Sequence, residues 1–228
     1  LDGLGLRAPG QHVVDLGTGP GSIALEFARR GAHVTGIDKS AGQIAQAREA
    51  AEELGLEVKF LCCGAENLPD LRQPVDMVVA SMCWGYFDQT RVLDRLLPQL
   101  RPTGRLIISR HNWVESSPVG TLTSRALDRV VPNRRIRPPA WLNSKPRTSD
   151  HRLRLTGYLC YEENVVVTPE IWVKRVLASR HLAGMPAAES ASFAQTLSDR
   201  LREALGAEFS VPHYIESQIF APSLPGDH

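Results

Sequence analysis

The sequence predicts an α/β fold in which a mostly parallel, doubly wound sheet of seven strands carries helices on both faces. Three observations predict this fold. Short apolar runs alternate with helical patterns along the first 110 residues, a glycine-rich loop joins the first run to the first helix, and the alternation returns near the carboxyl end. In such sheets ligands bind at the carboxyl ends of the strands, near the point where the strand order reverses. We therefore expect the functional site at that edge.

Five strands are predicted over the first 110 residues. The first runs into the glycine-rich loop at 17–21 and then into a helix that Gly31 ends. The second strand leads to an alanine-rich helix at 40–54, closed by Gly55. A turn at 102–104 precedes the fifth strand. The predicted strands lie at 12–16, 33–37, 58–62, 75–80 and 105–109, with a helix at 89–100 before the last of them.

Residues 111–157 break this regularity with scattered prolines and a single helical pattern at 121–131, so we predict an insertion after the fifth strand. Regular patterns then return, and Thr168 and Pro169 supply an N-cap and a first-turn proline for a helix. The elements predicted here are strands at 158–167 and 213–221 and helices at 168–179 and 188–206. The predicted organisation is a single domain with a Rossmann-like core at 1–110, a cap at 111–157 and a completion of the sheet at 158–228.

Composition excludes several classes of protein. The chain has 26 Lys and Arg against 25 Asp and Glu, a net charge of +1, so no global field attracts nucleic acid or an anionic membrane. No run approaches the about 18 apolar residues of a membrane helix, and no signal peptide opens the chain. We therefore predict a cytoplasmic protein without a membrane partner. The spacing of the four cysteines matches neither a zinc site nor a disulfide framework, and no metal is predicted.

The loop at 15–21 reads Asp-Leu-Gly-Thr-Gly-Pro-Gly. Glycine permits positive φ and lets the backbone approach a ligand closely, and the following helix offers free N–H groups. A dinucleotide fingerprint requires G-x-G-x-x-G, whereas here the third glycine, Gly21, falls one residue early. Pro20 also removes an N–H that a pyrophosphate could use. The spacing therefore argues against an NAD-dependent reductase.

Residues 13–21, VVDLGTGPG, resemble the first motif, acidic-x-G-x-G-x-G, of the class I S-adenosylmethionine-dependent methyltransferases. The resemblance implies that this loop lies against the methionine part of the cofactor and that Asp38 accepts hydrogen bonds from both ribose hydroxyls. A carboxylate suits that task because it offers several acceptor sites to a vicinal diol. The alternative is that the glycines only permit a turn and that Asp38 is a helix N-terminal charge. The residues that the resemblance assigns to the cofactor are Asp15, Gly17, Thr18, Gly19, Gly21, Asp38, Lys39, Gly64, Ala65, Glu66 and Ser81.

Two further segments resemble the same family, and two departures stand beside them. Residues 63–69, CGAENLP, resemble its G-D-A-E-x-L-P segment, and residues 100–108, LRPTGRLII, resemble its turn before the fifth strand. Gly64 stands where the family has an Asp that accepts from the adenine amino group, so the backbone at 65–66 and apolar walls are expected to hold adenine. In residues 80–88, ASMCWGYFD, glycine and tyrosine replace the family's His-Trp pair. The family also has a helical segment before the first motif, so we expect an N-terminal lid upstream of Leu1.

The acceptor of the methyl group is predicted to be a small molecule, with oxygen favoured as the acceptor atom. Nucleic-acid amino methyltransferases resembling this family carry an [N/D/S]-P-P-[Y/F/W] run after the fourth strand, and residues 81–84 contain no proline. Methyl transfer is an in-line displacement that needs a base only where the acceptor must lose a proton. His111, just past the fifth strand, is the candidate base, because a histidine with a pKa of ~6.5 could take a proton from a hydroxyl; the alternative is a structural histidine. Three aromatic residues near the same edge either wall the acceptor pocket or pack beneath the cap: Trp84, Tyr86 and Trp113.

Residues 125–154 carry nine basic residues against two acids, Asp128 and Asp150. One interpretation is recognition of an anionic acceptor, because guanidinium binds carboxylate and phosphate in a bidentate manner. The other is a solvated basic surface. Two further functions stay open: a nucleic-acid methyltransferase that uses this patch, and a catalytically silent protein that binds the cofactor. The nine basic residues are Arg125, Arg129, Arg134, Arg135, Arg137, Lys145, Arg147, Arg152 and Arg154.

Overall fold

Seven strands and six helices form the part of the chain that a computed structural model describes, namely residues 9–131, 146–179, 182 and 184–223. The strands are β1 (His12–Leu16), β2 (His33–Asp38), β3 (Val58–Cys62), β4 (Val75–Ser81), β5 (Leu100–Trp113), β6 (Leu153–Val167) and β7 (Phe209–Pro222). The helices are α1 (Ser22–Arg29), α2 (Ala41–Glu53), α3 (Gln89–Leu96), α4 (Pro118–Val130), α5 (Pro169–Leu177) and α6 (Ala187–Leu205).

The strands form one mixed sheet in the order β3-β2-β1-β4-β5-β7-β6. The first five strands pair in parallel, and β7 is antiparallel, so the predicted doubly wound, mostly parallel, seven-stranded α/β sheet is confirmed. The order reverses between β1 and β4, because the chain leaves β1 toward β2 and β3 and then returns to the other side of β1. The carboxyl ends of β1 and β4 therefore flank the switch point at which α/β sheets bind ligands.

The alternation of side chains along the central strands explains why helices cover both faces of the sheet. On β1, Val13 belongs to one apolar cluster and Val14 to the other, as expected for a strand buried on both sides. The cluster of Val13 contains residues of α1 and α2, whereas the cluster of Val14 contains Val92, Leu93 and Leu96 of α3. Helices α1 and α2 thus cover one face, and α3 covers the other.

Helix starts follow the capping residues that the sequence supplies. Thr168 accepts a hydrogen bond from the Ile171 N–H at 3.4 Å, with Pro169 in the first turn of α5, which confirms the predicted N-cap. Helix α3 starts after Asp88, whose carboxylate accepts from the Arg91 N–H at 3.2 Å. These short polar side chains satisfy N–H groups that a helix start otherwise leaves without partners.

The predicted start of the fifth strand was wrong by several residues. Strand β5 begins at Leu100, so the turn predicted at 102–104 lies within it and α3 ends at Leu96. The register explains the difference: Val75 pairs with Leu100, but Met77 pairs with Arg105, so β5 carries extra residues at this bulge. The Pro-Thr-Gly sequence marks an irregularity within a strand.

The chain forms two compact units. Unit one comprises Leu1–Arg110, Lys145–Leu159 and Glu216–His228, and unit two comprises His111–Ser144 and Cys160–Ile215. The core of unit two is a cluster built around Trp172 and residues of α4, α5 and α6. Much of the predicted cap, residues 132–145, lies outside the described residues. The division into core, cap and sheet completion stays a prediction.

Candidate active site

The loop between β1 and α1 has the backbone conformation that its glycines were predicted to permit. Gly17, Gly19 and Gly21 have φ values of 63°, 56° and 86°, a region that residues with a Cβ rarely adopt. The Thr18 N–H donates to the Ile37 carbonyl at 2.9 Å, which fixes the loop against the end of β2. Beyond Gly19 the space is open, since a Cβ there would meet nothing nearer than the Gln43 side chain at 3.6 Å. A backbone surface is therefore presented at the switch point of the sheet.

Asp38 ends β2 beside this loop and is half-buried. Its Oδ2 accepts from the Gly19 N–H at 3.0 Å and its Oδ1 accepts from the Ser40 N–H at 2.9 Å. A carboxylate has about four acceptor sites, so two remain for a ligand with two neighbouring hydroxyls. The same carboxylate thus holds the loop and offers acceptor capacity next to it.

Asp15 lies beneath the loop, with a side chain only 2% exposed. Its Oδ2 accepts from the Thr18 hydroxyl at 2.6 Å. Burial raises the pKa of the Asp15 carboxyl to about 7, although the hydrogen bond from Thr18 opposes this rise, and the nearby Asp38 charge adds to it. Asp15 therefore supports the loop from below and titrates near neutral pH.

The Asp15→Asn variant is expected to flatten the pH dependence of stability between about pH 4 and 7. Over that window the unfolded chain, with a carboxyl pKa near 3.8, loses its proton before the folded protein does, so the folded state becomes less stable as pH rises. Asparagine does not ionise, and its carbonyl still accepts from Thr18. Urea unfolding of the ligand-free protein at pH 5 and pH 8 measures the effect, with Asp199→Asn on exposed helix α6 as the matched control. An unchanged pH dependence in Asp15→Asn would contradict this role.

Cys83, just after β4, contacts the loop from the other side. Its thiol donates to the Leu16 carbonyl at 3.0 Å, and burial raises the pKa of the thiol to about 12. A Cβ added to Gly17 would lie 2.9 Å from the Cβ of Cys83. Sequence reasoning did not assign Cys83 to the site, although its position directly after the fourth strand is a signal that could have indicated it.

The predicted adenine segment forms a short 3₁₀ turn over Ala65–Asn67, in which Ala65 is buried. Glu66 accepts from the Asp88 N–H through Oε1 at 3.1 Å. Its Oε2 lies 3.0 Å from the position that a Cβ on residue 64 would occupy. The Glu66 carboxylate is therefore next to the place where the aspartate expected at position 64 would begin. Two other predicted residues lie at strand ends: Lys39 is exposed after β2, and Ser81 is half-buried at the end of β4, paired with Ser109.

The three candidate pocket aromatics lie in different surroundings. Trp84 is only 3% exposed and belongs to the core cluster that contains Val14, with Phe87 edge-on at 6.2 Å. Tyr86 is 65% exposed. Trp113 belongs to unit two, where its ring meets that of Trp172 edge-on at 5.2 Å. Their assignment to an acceptor pocket stays a prediction.

His111 lies in unit two beside Arg175 and His213. The rings of the two histidines are 4.4 Å apart and tilted by 35°. Burial, the Arg175 charge and His213 together lower the pKa of His111 to about 4, so the ordinary pKa expected from the sequence is not found. His111 is therefore neutral at pH 7 and is a weaker base than an exposed histidine. Its role as the base stays a prediction.

The basic residues of segment 125–154 do not act as one patch in the described part of the chain. Arg147 donates to Glu216 at 2.5 Å, and Arg152 contacts both Asp94 and Asp150, all within unit one. Arg125 lies exposed on α4 of unit two, as does Arg129. Paired guanidinium groups have their charge compensated and lose much of their capacity to attract an anion. Outside the described residues are Arg134, Arg135, Arg137 and Lys145.

A family model described as a methyltransferase domain matches residues 13–104. A ubiquinone biosynthesis O-methyltransferase of Nitrobacter winogradskyi is 32% identical over 126 residues, 54% of this chain and 48% of that protein. A demethylmenaquinone methyltransferase of Thermus thermophilus is 33% identical over 132 residues, 57% of this chain and 60% of that protein. The chain thus spans between about half and three fifths of the length of these curated relatives.

Solved structures share the fold along most of the chain. A candidate type II methyltransferase from Anaeromyxobacter dehalogenans has a TM-score of 0.69 at 20% identity, covering 97% of this chain and 93% of that one. A methyltransferase from Geobacter sulfurreducens, in complex with S-adenosyl-L-homocysteine, has a TM-score of 0.51 at 19% identity, covering 97% and 88%. In the described ranges, no helix is both long and apolar enough to cross a membrane.

Proposed function

We propose that this protein transfers a methyl group from S-adenosylmethionine to a small-molecule acceptor, with oxygen as the acceptor atom. A methyltransferase-domain family model matches residues 13–104, and the loop within it resembles the first motif of the class I S-adenosylmethionine-dependent methyltransferases. The observation that carries the proposal is the junction of Asp38 with the glycine loop. That junction lies at the switch point of the sheet and combines open backbone with an acidic group that has acceptor sites left.

The described residues fit the cofactor. The conformation of Gly19 leaves room for a ligand to approach the loop backbone, and the Asp38 carboxylate can accept from a ribose diol while it keeps its bonds to Gly19 and Ser40. When bound, S-adenosylmethionine supplies an electrophilic methyl group on a sulfonium. The chain's own contribution is to hold the cofactor and to align the acceptor with that methyl group in surroundings from which water is excluded.

The adenine end is proposed to lie against the 3₁₀ turn at Ala65–Asn67. Glu66 is the acidic side chain closest to Gly64, and its Oε2 occupies the space beside that glycine. We propose that the turn backbone and the Glu66 carboxylate together replace the acceptor that Gly64 does not provide. Helix α3 supports this arrangement, because the N–H of its N-cap residue, Asp88, holds the other carboxylate oxygen of Glu66.

Oxygen is favoured as the acceptor atom by the name of one relative, and a small organic acceptor by the names of two. The Nitrobacter winogradskyi relative is named an O-methyltransferase of ubiquinone biosynthesis, and the Thermus thermophilus relative is named for demethylmenaquinone. Both names denote small organic acceptors. The ion pairs of Arg147 and Arg152 with acids of unit one also leave fewer uncompensated cations for a nucleic-acid footprint in the described part of segment 125–154.

The proposal is tested by measuring cofactor binding and methyl transfer separately. Calorimetry is expected to show one molecule of S-adenosylhomocysteine bound per chain. Labelled S-adenosylmethionine is then offered with pairs of small aromatic acceptors that differ only in a hydroxyl against an amino group. We expect label in the hydroxyl member of such pairs. Binding without transfer to any member, or to an oligonucleotide, would favour the catalytically silent cofactor-binding protein, whereas no binding would contradict the proposal altogether.

A further inference from the structure

Unit two contains a cationic side chain that has no acidic partner in the described part of the chain. Arg175 on α5 is half-buried, and burial lowers the pKa of its guanidinium. Among residues 9–131, 146–179, 182 and 184–223, no carboxylate lies within ion-pair distance of it. The remaining residues of unit two, at 132–144, 180, 181 and 183, include no Asp or Glu. A half-buried charge without a counter-ion is unfavourable, so this site has unused capacity for an anion.

Aromatic rings fix the position of this guanidinium. Its Cζ lies 5.9 Å from the centre of the Trp172 ring, and Trp172 is itself held by a hydrogen bond from Nε1 to the Thr123 hydroxyl at 2.9 Å. Toward His111, the Nη2 atom of Arg175 lies 3.1 Å from Nδ1 and 3.5 Å from Nε2 of the imidazole ring. Both ring nitrogens of His111 are thus within contact distance of the same guanidinium nitrogen, which holds the guanidinium beside the imidazole ring.

This packing leaves the guanidinium fork available. Arginine has five N–H donors in one plane, and the described residues give Arg175 no hydrogen-bond partner besides His111. Trp172 and the histidine rings restrict how the side chain can turn, so little further ordering is needed on binding. A planar, pre-oriented fork matches the two oxygens of a carboxylate.

The surrounding charges favour a singly charged ligand. Burial lowers the pKa of His213, as it does for His111, so Arg175 is the cation of the cluster at neutral pH. The buried Nε2 of His213 has no partner among the residues that the structure describes, while its Nδ1 lies 2.8 Å from the Val211 carbonyl and donates to it. The exposed carboxylate of Glu163 acts electrostatically on His213 and adds negative charge nearby. One positive charge compensates a carboxylate and leaves a phosphate dianion uncompensated.

We infer that Arg175, held between His111 and Trp172, binds the carboxylate of an organic ligand in unit two. The inference gives the small-molecule acceptor an acidic group, and to that extent it rests on the proposed function. The binding itself requires no methyl transfer. It also places anion recognition at the single guanidinium of Arg175. This residue lies outside segment 125–154, where the cluster of basic residues suggested an anion site.

Titration of the unaltered protein with benzoate and with benzamide tests this site directly. The two probes share size and ring and differ in charge, so we expect benzoate to bind at least about tenfold more tightly. Equal affinities would overturn the inference, and tighter binding of inorganic phosphate than of benzoate would overturn the carboxylate assignment. Because this comparison uses the unaltered chain, it decides the question whether or not a variant folds.

Variants locate the site. Arg175→Gln is expected to reduce benzoate affinity to that of benzamide. Arg175→Lys keeps the charge but loses the planar pair of donors, so its benzoate affinity should lie between those of the unaltered protein and Arg175→Gln. The matched control is Arg125→Gln, an exposed arginine on α4 of the same unit, which should bind benzoate normally. Benzoate affinity that persists in Arg175→Gln would overturn the assignment. Titration with S-adenosylhomocysteine separates the two proposals, because its failure in the unaltered protein counts against the proposed function and leaves this site standing.

Discussion

Replacing Asp38 with alanine is expected to weaken binding of S-adenosylhomocysteine by about 2 to 4 kcal/mol, roughly 30- to 700-fold in the dissociation constant. Two hydrogen bonds to a charged acceptor are lost with the ribose, and the variant also loses the bond that holds the Gly19 N–H at 3.0 Å. The loop is therefore less ordered before the ligand arrives. Calorimetry on the purified protein measures the change.

Asparagine at the same position separates these two contributions. Asp38→Asn keeps one side-chain oxygen, which can still accept from Ser40 or from one hydroxyl, but its amide nitrogen cannot accept from Gly19. We expect an affinity between those of the original protein and Asp38→Ala. Asp199→Ala, an exposed acid on α6, serves as the control and should leave the affinity unchanged. Normal binding by Asp38→Ala would remove the cofactor assignment.

The central strands could be predicted from the sequence because they are buried on both faces. Continuous apolar runs such as that of β1 are rarely found in loops, and glycine marks where such a strand must turn. The ends of β5 could not be predicted, since they depend on the register with β4. The pairing of Met77 with Arg105 depends on the neighbouring strand β4, so no periodic pattern in the sequence of β5 reveals it.

The candidate site likewise has one part that could be predicted from the sequence and one part that could not. The loop and Asp38 follow consecutive strands, so their proximity follows from parallel pairing of β1 with β2. The surroundings of His111 depend on Arg175 of α5 and His213 of β7, which are far along the chain and belong to other elements. No local pattern around His111 reveals that neighbours lower its pKa. Composition likewise identified basic residues in segment 125–154 but could not show which of them have acidic partners.

Alanine at Gly17 is expected to reduce the free energy of unfolding by about 2 to 5 kcal/mol, and alanine at Gly19 by only about 1 to 2 kcal/mol. Both glycines have left-handed backbone, with φ values of 63° and 56°, so both substitutions cost roughly 1 to 2 kcal/mol in conformation. Only at Gly17 does the new Cβ also collide, at 2.9 Å from the Cβ of Cys83, and overpacking of this kind costs about 1 to 3 kcal/mol more. Urea unfolding of the two variants measures the difference.

The collision at Gly17 can be relieved by removing its partner. The Cβ of Cys83 is the closest atom, so Cys83→Gly in the Gly17→Ala background should recover the steric part of the loss, whereas the same change beside Gly19→Ala should recover nothing. Cys83 also donates to the Leu16 carbonyl, which couples the loop to the carboxyl end of β4. If that coupling holds the cofactor surface in place, Gly17→Ala must also lose affinity for S-adenosylhomocysteine, and the double variant, which lacks the Cys83 thiol altogether, must not regain it. A stability loss without an affinity loss would show that Gly17 serves only the packing beneath the loop.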